Sequence, residues 1–334
     1  MNKTEKAPTS MADIARMLGI TTQSVSLALR NSPLISQELR EQVQRIAEKM
    51  DFKARSYRKR RNSGENNEKI MVLYEAANVG DPVAQQIMNS VMKRLSELKM
   101  PFELCACEDL YDNPVLIEGF TGVIYHYCFR PWFASILEGI PQVTIMHEEI
   151  DLGPWDSFKP NEILAGKLAA NYLINQNFKN VLLIYEHRMA YHAATHPRLE
   201  GFRQKIREAG VELVELSYGN DDKDPQLFFD SLIATLKRFD NHAGIFAFCD
   251  QVAYKLCHLL NFAGLQRVPG ELEVISCDNT FLLKELFPPL PAVDLHIAEI
   301  ASRAVDGLKW RLANPNASFQ EVRITPELIL PVKK

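Results

Sequence analysis

The chain has 334 residues, of which 46% are hydrophobic, and at about 150 residues per domain this allows two or three domains with buried cores. No apolar run is long enough to span a bilayer, and the first ten residues lack the apolar segment of a secretory signal. The net charge of −4 conceals an asymmetry, because residues 1–61 carry +7 and the remainder carries −11. A basic head on an acidic body indicates nucleic-acid binding by the head.

Three short helices are predicted between Ser10 and Phe52. The apolar residues that recur at helical spacing are Met11, Ile14, Ala15 and Leu18, then Val25, Ala28 and Leu29, then Leu39, Val43, Ile46, Ala47 and Met50. Gly19 suits a turn with positive φ, and the hydroxyls of Thr21 and Ser36 suit the caps of the second and third helices. Two short helices joined by a Gly-containing turn and braced by a third form a helix-turn-helix.

The second helix leaves a polar edge uncovered, and a helix of this width fits the DNA major groove. The candidate DNA-binding residues along this edge are Thr21, Thr22, Gln23, Ser24, Ser26, Leu27 and Arg30. A Gln side chain can make two hydrogen bonds to adenine, and a Thr methyl can contact thymine. The alternative is a small helical bundle with a polar face, but that interpretation does not explain the basic charge.

The segments MADIARMLGITTQSVSLALRN and ISQELREQVQRIAEKMDF resemble the headpiece of LacI/GalR-family transcriptional regulators. The resemblance implies that Thr22, Gln23 and Leu27 read bases and that Ser26 lies near a backbone phosphate. Leu27 stands where the family often has Arg, which removes a guanine-reading group. The headpiece domain is expected to cover residues 1–52.

Residues 53–69 are expected to form a basic hinge and linker. In the resembling family this position holds a short helix that orders on DNA and inserts a Leu into the minor groove, and here Arg61 occupies the place of that Leu. Arg55, Arg58 and Arg61 are candidates to neutralise phosphates or to enter a narrow minor groove. A disordered basic tether in the absence of DNA is the alternative.

From residue 70 onwards, apolar strands alternate with amphipathic helices, a pattern typical of doubly wound α/β units. Strands are predicted at 70–75, 102–108, 122–128, 142–147, 180–186, 211–218, 243–250 and 272–278. Helices are predicted at 84–99, 132–138, 162–176, 198–209, 225–239 and 251–263. Cys105 and Cys107 are expected on one face of the second strand.

The family resemblance continues through the body, in blocks such as NEILAGKLAANYLINQNFKNVLLI and TPELILP. It implies a small all-α helix-turn-helix headpiece followed by a periplasmic-binding-protein-like α/β core of two doubly wound subdomains. The first subdomain is expected to hold about 70–161 and 292–318. The second is expected to hold about 162–291 and 319–332, with a ligand cleft between the two.

The resemblance places an effector-contacting Arg at position 198, and Asp250 and Asp278 follow predicted strand ends. An Arg with two carboxylates suits a ligand with hydroxyl groups, since each hydroxyl can donate to a carboxylate and accept from the Arg. His126, Trp155 and Tyr191 are candidates for an aromatic wall of the same effector site, although aromatic residues more often fill cores. The alternatives are a salt bridge at a helix start for Arg198, a turn residue for Asp278 and a helix cap for Asp250.

His187, His192 and His196 suggest a metal site only weakly, because residues 193–197 are expected to form a loop entering a helix with no Cys or acidic residue beside them, and neither a metal nor a cofactor is expected. No Walker A, GxSxG or GxGxxG pattern occurs, so no catalytic residues are predicted. Together with the family resemblance, which implies a repressor role and a sugar-like effector, the sequence predicts a cytoplasmic homodimeric repressor of a carbohydrate operon that binds a pseudo-palindromic DNA operator, with no membrane partner. The alternative is a solute-binding or enzymatic α/β protein with an accessory basic domain.

Overall fold

A computed structural model describes residues 11–29, 35–49, 69–126, 136–146, 155–187, 196–219 and 225–331. The chain divides into two compact units, which we call unit 1 and unit 2. Unit 1 comprises Met1–Val79, Val91–Ser157 and Ser302–Glu321. Unit 2 comprises Gly80–Ser90, Phe158–Ala301 and Val322–Lys334.

The headpiece contains the three predicted helices, α1 (Met11–Leu18), α2 (Thr22–Leu29) and α3 (Gln37–Lys49). Their shared core consists of Ile14, Ala15, Val25, Ala28, Val43 and Ala47, with Leu18, Leu29, Leu39 and Ile46 packed against it. The Thr21 hydroxyl accepts a hydrogen bond from the Ser24 amide at 3.1 Å, and Ser36 caps α3 in the same way. Gly19 has φ +65°, so the predicted caps and the predicted turn are confirmed.

The first sheet of the core has the strand order β11-β5-β4-β3-β1-β2. Its strands are β1 (Ile70–Tyr74), β2 (Phe102–Ala106), β3 (Gly122–His126), β4 (Gln142–Ile145), β5 (Asp156–Pro160) and β11 (Glu321–Ile324). Helices α4 (Pro82–Glu97) and α5 (Cys107–Asp112) and the short 3-10 helices Ala76–Asn78 and Pro114–Ile117 lie along this part of the chain. β1 pairs in parallel with β2 and β3, and β3 with β4, as expected for buried apolar strands.

The second sheet has the order β12-β10-β9-β8-β6-β7 and is parallel except where β12 pairs with β10. Its strands are β6 (Asn180–Glu186), β7 (Glu212–Tyr218), β8 (Ala243–Ala247), β9 (Leu272–Asp278), β10 (Ala292–Asp294) and β12 (Glu327–Ile329). The helices of this part are α6 (Glu162–Asn175), α7 (Pro197–Glu208), α8 (Pro225–Arg238), α9 (Asp250–Phe262), the 3-10 helix Phe281–Glu285 and α10 (Ile297–Ala313). In both sheets the strand order is doubly wound, as predicted.

Three details of the predicted core are wrong. The chain was expected to return to the first subdomain at about residue 292, but β10 belongs to the second sheet and the unit boundary falls within α10, between Ala301 and Ser302. Residues 319–332 were expected in the second subdomain, but β11 within this range pairs in the first sheet. Cys107 starts α5 instead of continuing β2, so it does not share a strand face with Cys105. The helix predicted at 132–138 lies largely outside the described residues.

An ion pair that the sequence did not predict joins β5 to the end of α10 in unit 1. The Arg311 guanidinium donates to both Asp156 carboxylate oxygens at 2.7 and 2.8 Å, and both side chains are 2% exposed. Arg311 also donates to the carbonyl oxygens of Ala317 and Ser318. This pair explains how a strand with the polar sequence DSFKP is buried at all five positions. None of the helices that the structure describes is long and apolar enough to cross a membrane.

Candidate functional sites

The first candidate site is the polar edge of α2 in the headpiece. Thr21 is exposed and its hydroxyl caps the helix, with the Ser24 hydroxyl 3.0 Å away. The backbone of α2 includes Thr22, Gln23, Ser26 and Leu27, but their side chains lie outside the described part of the structure. The remaining candidates for DNA contact, which also lie outside the described residues, are Arg30, Arg55, Arg58 and Arg61. The structure therefore describes the scaffold of this site and two of its side chains.

The second candidate site, in unit 2, depends on a close contact between α6 and α7. A Cβ on Gly166 of α6 would lie 1.9 Å from the carbonyl oxygen of Arg198, and a Cβ on Gly201 of α7 would lie 2.1 Å from that of Ile163. Only glycine permits backbones to approach this closely. The two glycines therefore bring together the first turns of both helices, where Glu162 and Arg198 lie.

The Arg198 side chain is 4% exposed and is surrounded by acceptors. Its Nε and Nη2 donate to the two oxygens of Glu162 at 2.7 and 2.9 Å, and its Nη1 donates to the Phe248 carbonyl at 2.7 Å. Nη1 also lies 3.1 Å from Oδ1 of Asp278, and the guanidinium carbon lies 4.6 Å from the centre of the Phe248 ring. Arg198 and Asp278, which were predicted to belong to one effector site, are therefore in contact, but Glu162 accepts the bidentate pair of hydrogen bonds from the guanidinium.

Asp278 is the last residue of β9, and the backbone turns there through two left-handed residues, Asp278 at φ +104° and Asn279 at φ +57°. Burial raises the pKa of the Asp278 carboxyl well above its ordinary value, and the negative charges of Asp250 and Glu162 raise it further against the opposing effect of Arg198. Burial also raises the pKa of Glu162, but the charge of Arg198, its hydrogen bonds and the nearby His196 together outweigh burial, and the net shift is downward. Near neutral pH, Glu162 thus carries the negative charge that balances Arg198, and Asp278 takes up a proton more readily than Glu162 does.

Asp250 is the first residue of α9 and contacts the same turn. Its Oδ1 accepts a hydrogen bond from the Ser276 hydroxyl at 2.6 Å, and its Oδ2 accepts from the amide and the hydroxyl of Thr280 at 2.5 and 2.8 Å. Burial raises the pKa of Asp250 to about 6, against the lowering effect of these hydrogen bonds. In this geometry Asp250 braces the turn after β9, and the helix cap itself is Cys249.

Several neighbours of the Arg198 cluster are kept neutral by burial. His196 caps α7 by accepting the Arg198 amide at 3.2 Å, and burial, with the nearby Arg198 charge, lowers its pKa to about 4. Burial raises the pKa of the Cys249 and Cys277 thiols well above the ordinary value, so both stay protonated. The cluster therefore offers hydrogen-bond donors and acceptors rather than a thiolate nucleophile.

Arg198, Asp250 and Asp278 thus lie together in unit 2, whereas His126 and Trp155 belong to unit 1. His126 ends β3 at 2% exposure, and burial lowers its pKa to about 4. Trp155 is 7% exposed and packs edge-on against Tyr125, with 6.4 Å between ring centres. Tyr191 lies outside the described residues.

Sequence reasoning missed Glu162, Ser276 and Thr280. An acidic residue in the first turn of a helix ordinarily interacts with the helix dipole, so nothing local distinguishes Glu162. Its partner lies 36 positions later in the sequence. Within the described ranges, no group of three or more His, Cys, Asp or Glu side chains is arranged to hold a metal ion, and His192 lies outside those ranges.

Comparison with known proteins shows likeness over nearly the whole chain. Residues 10–54 match the model of bacterial regulatory proteins of the lacI family, and residues 170–330 match that of periplasmic binding protein-like domains. The ribose operon repressor of Haemophilus influenzae is 25% identical over 340 residues, which cover 96% of this chain and 97% of that protein.

Two solved structures share the fold. A LacI family transcriptional regulator from Enterococcus faecium with bound ribose has a TM-score of 0.67 at 20% identity, covering 78% of this chain and 97% of its own. The lac repressor dimer bound to operator and the anti-inducer ONPF has a TM-score of 0.62 at 14% identity, covering 97% and 98%. At these identities the structural likeness establishes the fold, a helix-turn-helix headpiece with a periplasmic-binding-protein-like core, and this fold confirms the predicted fold class.

Proposed function

Because the chain belongs to the lacI family of bacterial regulatory proteins, we propose that it is a sequence-specific DNA-binding transcriptional repressor of a carbohydrate-utilisation operon. A small sugar-like effector bound at the Arg198 cluster controls its affinity for the operator. The observation that carries the proposal is the headpiece, in which the Gly19 turn and the Thr21 cap set α2 between α1 and α3. That arrangement presents the start of one helix to the major groove.

DNA binding by this headpiece is supported by charge. Residues 1–61 carry +7, and such an excess neutralises phosphates and releases counterions, so affinity for duplex DNA falls steeply with salt. Gln23 and Thr22, on the first turn of α2, are the proposed base-reading residues, with Ser24, Ser26 and Leu27 beside them. Arg55, Arg58 and Arg61 are proposed to contact the backbone or the minor groove from the hinge.

Effector binding at the Arg198 cluster is supported by position and chemistry. Asp250 follows the carboxyl end of β8 and Asp278 is the last residue of β9, and ligands of open α/β sheets bind beyond such ends. A guanidinium and nearby carboxyls can exchange hydrogen bonds with several hydroxyl groups. Both the Haemophilus influenzae relative, a ribose operon repressor, and the Enterococcus faecium structure with bound ribose agree with a sugar as the ligand class.

We propose a homodimer, because a two-fold dimer places two reading heads on a pseudo-palindromic operator. Unit 1 exposes apolar side chains on its edge strand β2 and on the two short helices that follow it, namely Leu104, Tyr111, Val115 and Leu116, each at least 38% exposed. A second copy of the chain would bury this surface. A protein that acts on DNA in this way works in the cytoplasm, and the proposed role requires no catalysis.

Selection from a randomised duplex library tests the proposed function. The full chain should enrich a pseudo-palindromic sequence, and Gln23→Ala should lose about 1–3 kcal/mol of discrimination at one base pair of each half-site. Ser36→Ala, which removes the cap of the bracing helix, is a control that should leave base preference unchanged. Failure to enrich any sequence, together with salt-insensitive binding, would favour a solute-binding or enzymatic α/β protein instead.

A further inference from the structure

Glu162 occupies the edge of the Arg198 guanidinium that an anionic ligand would use. An Arg binds phosphates and carboxylates best through two parallel N–H donors. Here Nε and Nη2 form that bidentate pair with Glu162, at 2.7 and 2.9 Å, and both side chains are at least 95% buried. The third donor, Nη1, is held by the Phe248 carbonyl at 2.7 Å.

The charge around the guanidinium is also unfavourable to anions. Asp278 contacts Arg198 directly at 3.1 Å. The negative charges of Asp250, Glu162 and Asp81 each raise the pKa of its carboxyl. Asp81 caps α4 by accepting the Ala84 amide at 2.8 Å and also accepts from Gln251 at 3.3 Å, so it is fixed within unit 2. Two carboxyl groups thus contact the guanidinium, Glu162 carries the charge that balances it, and the acidic residues Asp250 and Asp81 lie close enough to Asp278 to affect its pKa, in surroundings where burial strengthens electrostatic interactions.

We propose that Glu162 is the specificity-determining residue of this site, and that it selects uncharged ligands with hydroxyl groups against phosphorylated or carboxylated ones. The inference rests on the proposed effector site at Arg198. An anion could reach the guanidinium only by displacing a buried bidentate partner, which would leave the Glu162 charge without its counterion. A sugar hydroxyl meets no such barrier, because it can donate to Asp278 while the Arg198–Glu162 pair stays intact.

The selectivity is measured first on the unmodified full chain, by thermal unfolding with matched sugars. The probes are D-ribose and D-ribose 5-phosphate, D-glucose and D-glucose 6-phosphate, and D-gluconate and D-galacturonate. A ligand that binds the native state raises the melting temperature by mass action. We expect a shift with at least one neutral sugar, and affinity lower by a factor on the order of 100 or more for its anionic counterpart, since like charges at close range strongly disfavour binding.

The role of Glu162 is tested by Glu162→Gln, which removes the charge and keeps the size. This variant should gain a melting-temperature shift with D-ribose 5-phosphate or D-glucose 6-phosphate that the unmodified chain lacks. The matched control is Glu215→Gln, because Glu215 holds Arg203 in the same bidentate manner, at 2.8 and 2.7 Å, but on the surface of the same unit. A melting-temperature shift caused by phosphate binding to the basic headpiece would be equal in the unmodified chain and in both variants, so it can be told apart from binding at Arg198.

The proposal is overturned if a sugar phosphate or sugar acid shifts the unmodified chain as much as its neutral parent does. It is also overturned if a folded Glu162→Gln variant shows the same preference as the Glu215→Gln control. A panel in which no neutral sugar shifts the melting temperature counts against it as well, since it requires an uncharged ligand. If Glu162→Gln does not fold, the sugar panel on the unmodified chain decides alone. Binding of the same samples to duplex DNA tests the proposed DNA-binding function separately, so a failure of the ligand selectivity can be distinguished from a failure of that function.

Discussion

The contact between α6 and α7 provides a prediction in which two physical effects have opposite signs. In an ordinary helix, Gly→Ala stabilises by up to about 1 kcal/mol, because alanine has the higher helix propensity. At Gly166 the new methyl would lie 1.9 Å from the Arg198 carbonyl oxygen, whereas ordinary contacts begin near 3.4 Å. The helices would have to separate by about 1.5 Å, and overpacking against rigid backbone costs about 1–3 kcal/mol or more. We therefore expect Gly166→Ala to lower the free energy of unfolding by about 2 kcal/mol.

The same displacement would loosen the Glu162–Arg198 pair, so the melting-temperature shift with a bound sugar should also shrink. Urea unfolding followed by circular dichroism measures the first effect, and thermal unfolding with and without the sugar measures the second. Gly80→Ala is the control, since a Cβ there meets nothing within 4 Å, and its stability should change little. A Gly166→Ala variant that is more stable than the original chain would refute the reasoning, because propensity would then outweigh packing.

Three further predictions concern buried charges. Burial lowers the pKa of His196 to about 4, so the free energy of unfolding decreases as the pH falls from about 6.5 towards 4. His196→Asn keeps a capping residue that does not titrate and should remove up to about 3 kcal/mol of this decrease. Urea unfolding of both proteins at several pH values measures the difference. Asp156→Asn should destabilise by about 3 kcal/mol in urea unfolding, because it leaves the buried Arg311 without a counterion. Asp306→Asn, which breaks the solvent-exposed pair with Arg94, should cost much less, and equal costs would contradict this reasoning. Arg198→Ala should abolish any effect of sugar on operator affinity and leave the affinity measured without sugar unchanged, both by fluorescence anisotropy. A normal response to sugar would show that Arg198 is not part of the effector site.

Local patterns in the sequence predicted much of the fold. Continuous apolar runs located β1, β3, β6 and β8, because strands covered on both faces leave no polar positions. The same reasoning could not locate β5, whose buried Asp156 is compensated by an Arg 155 positions away. It also extended β2 through Cys107, because a short helix that directly follows a strand leaves no break in the apolar pattern.

The candidate effector site was predicted in part. Arg198 and Asp278 were singled out as one site and lie 3.1 Å apart, but their roles in binding stay predictions. Glu162 was missed because its significance depends on a close helix contact that two glycines permit, and single glycines within helical patterns do not indicate which helix they approach. Long-range partners of this kind become visible only when the chain is folded.

The central claim is that sugar binding at the Arg198 cluster and operator binding by the headpiece are linked. The measurement that tests it most directly is the dissociation constant of the full chain for its selected duplex, with and without a saturating sugar identified by the thermal panel. Linkage between two sites typically changes affinity by about 5–150-fold, and the account predicts a change in this range that disappears in Arg198→Ala. Equal dissociation constants with and without a sugar that demonstrably binds would contradict the account.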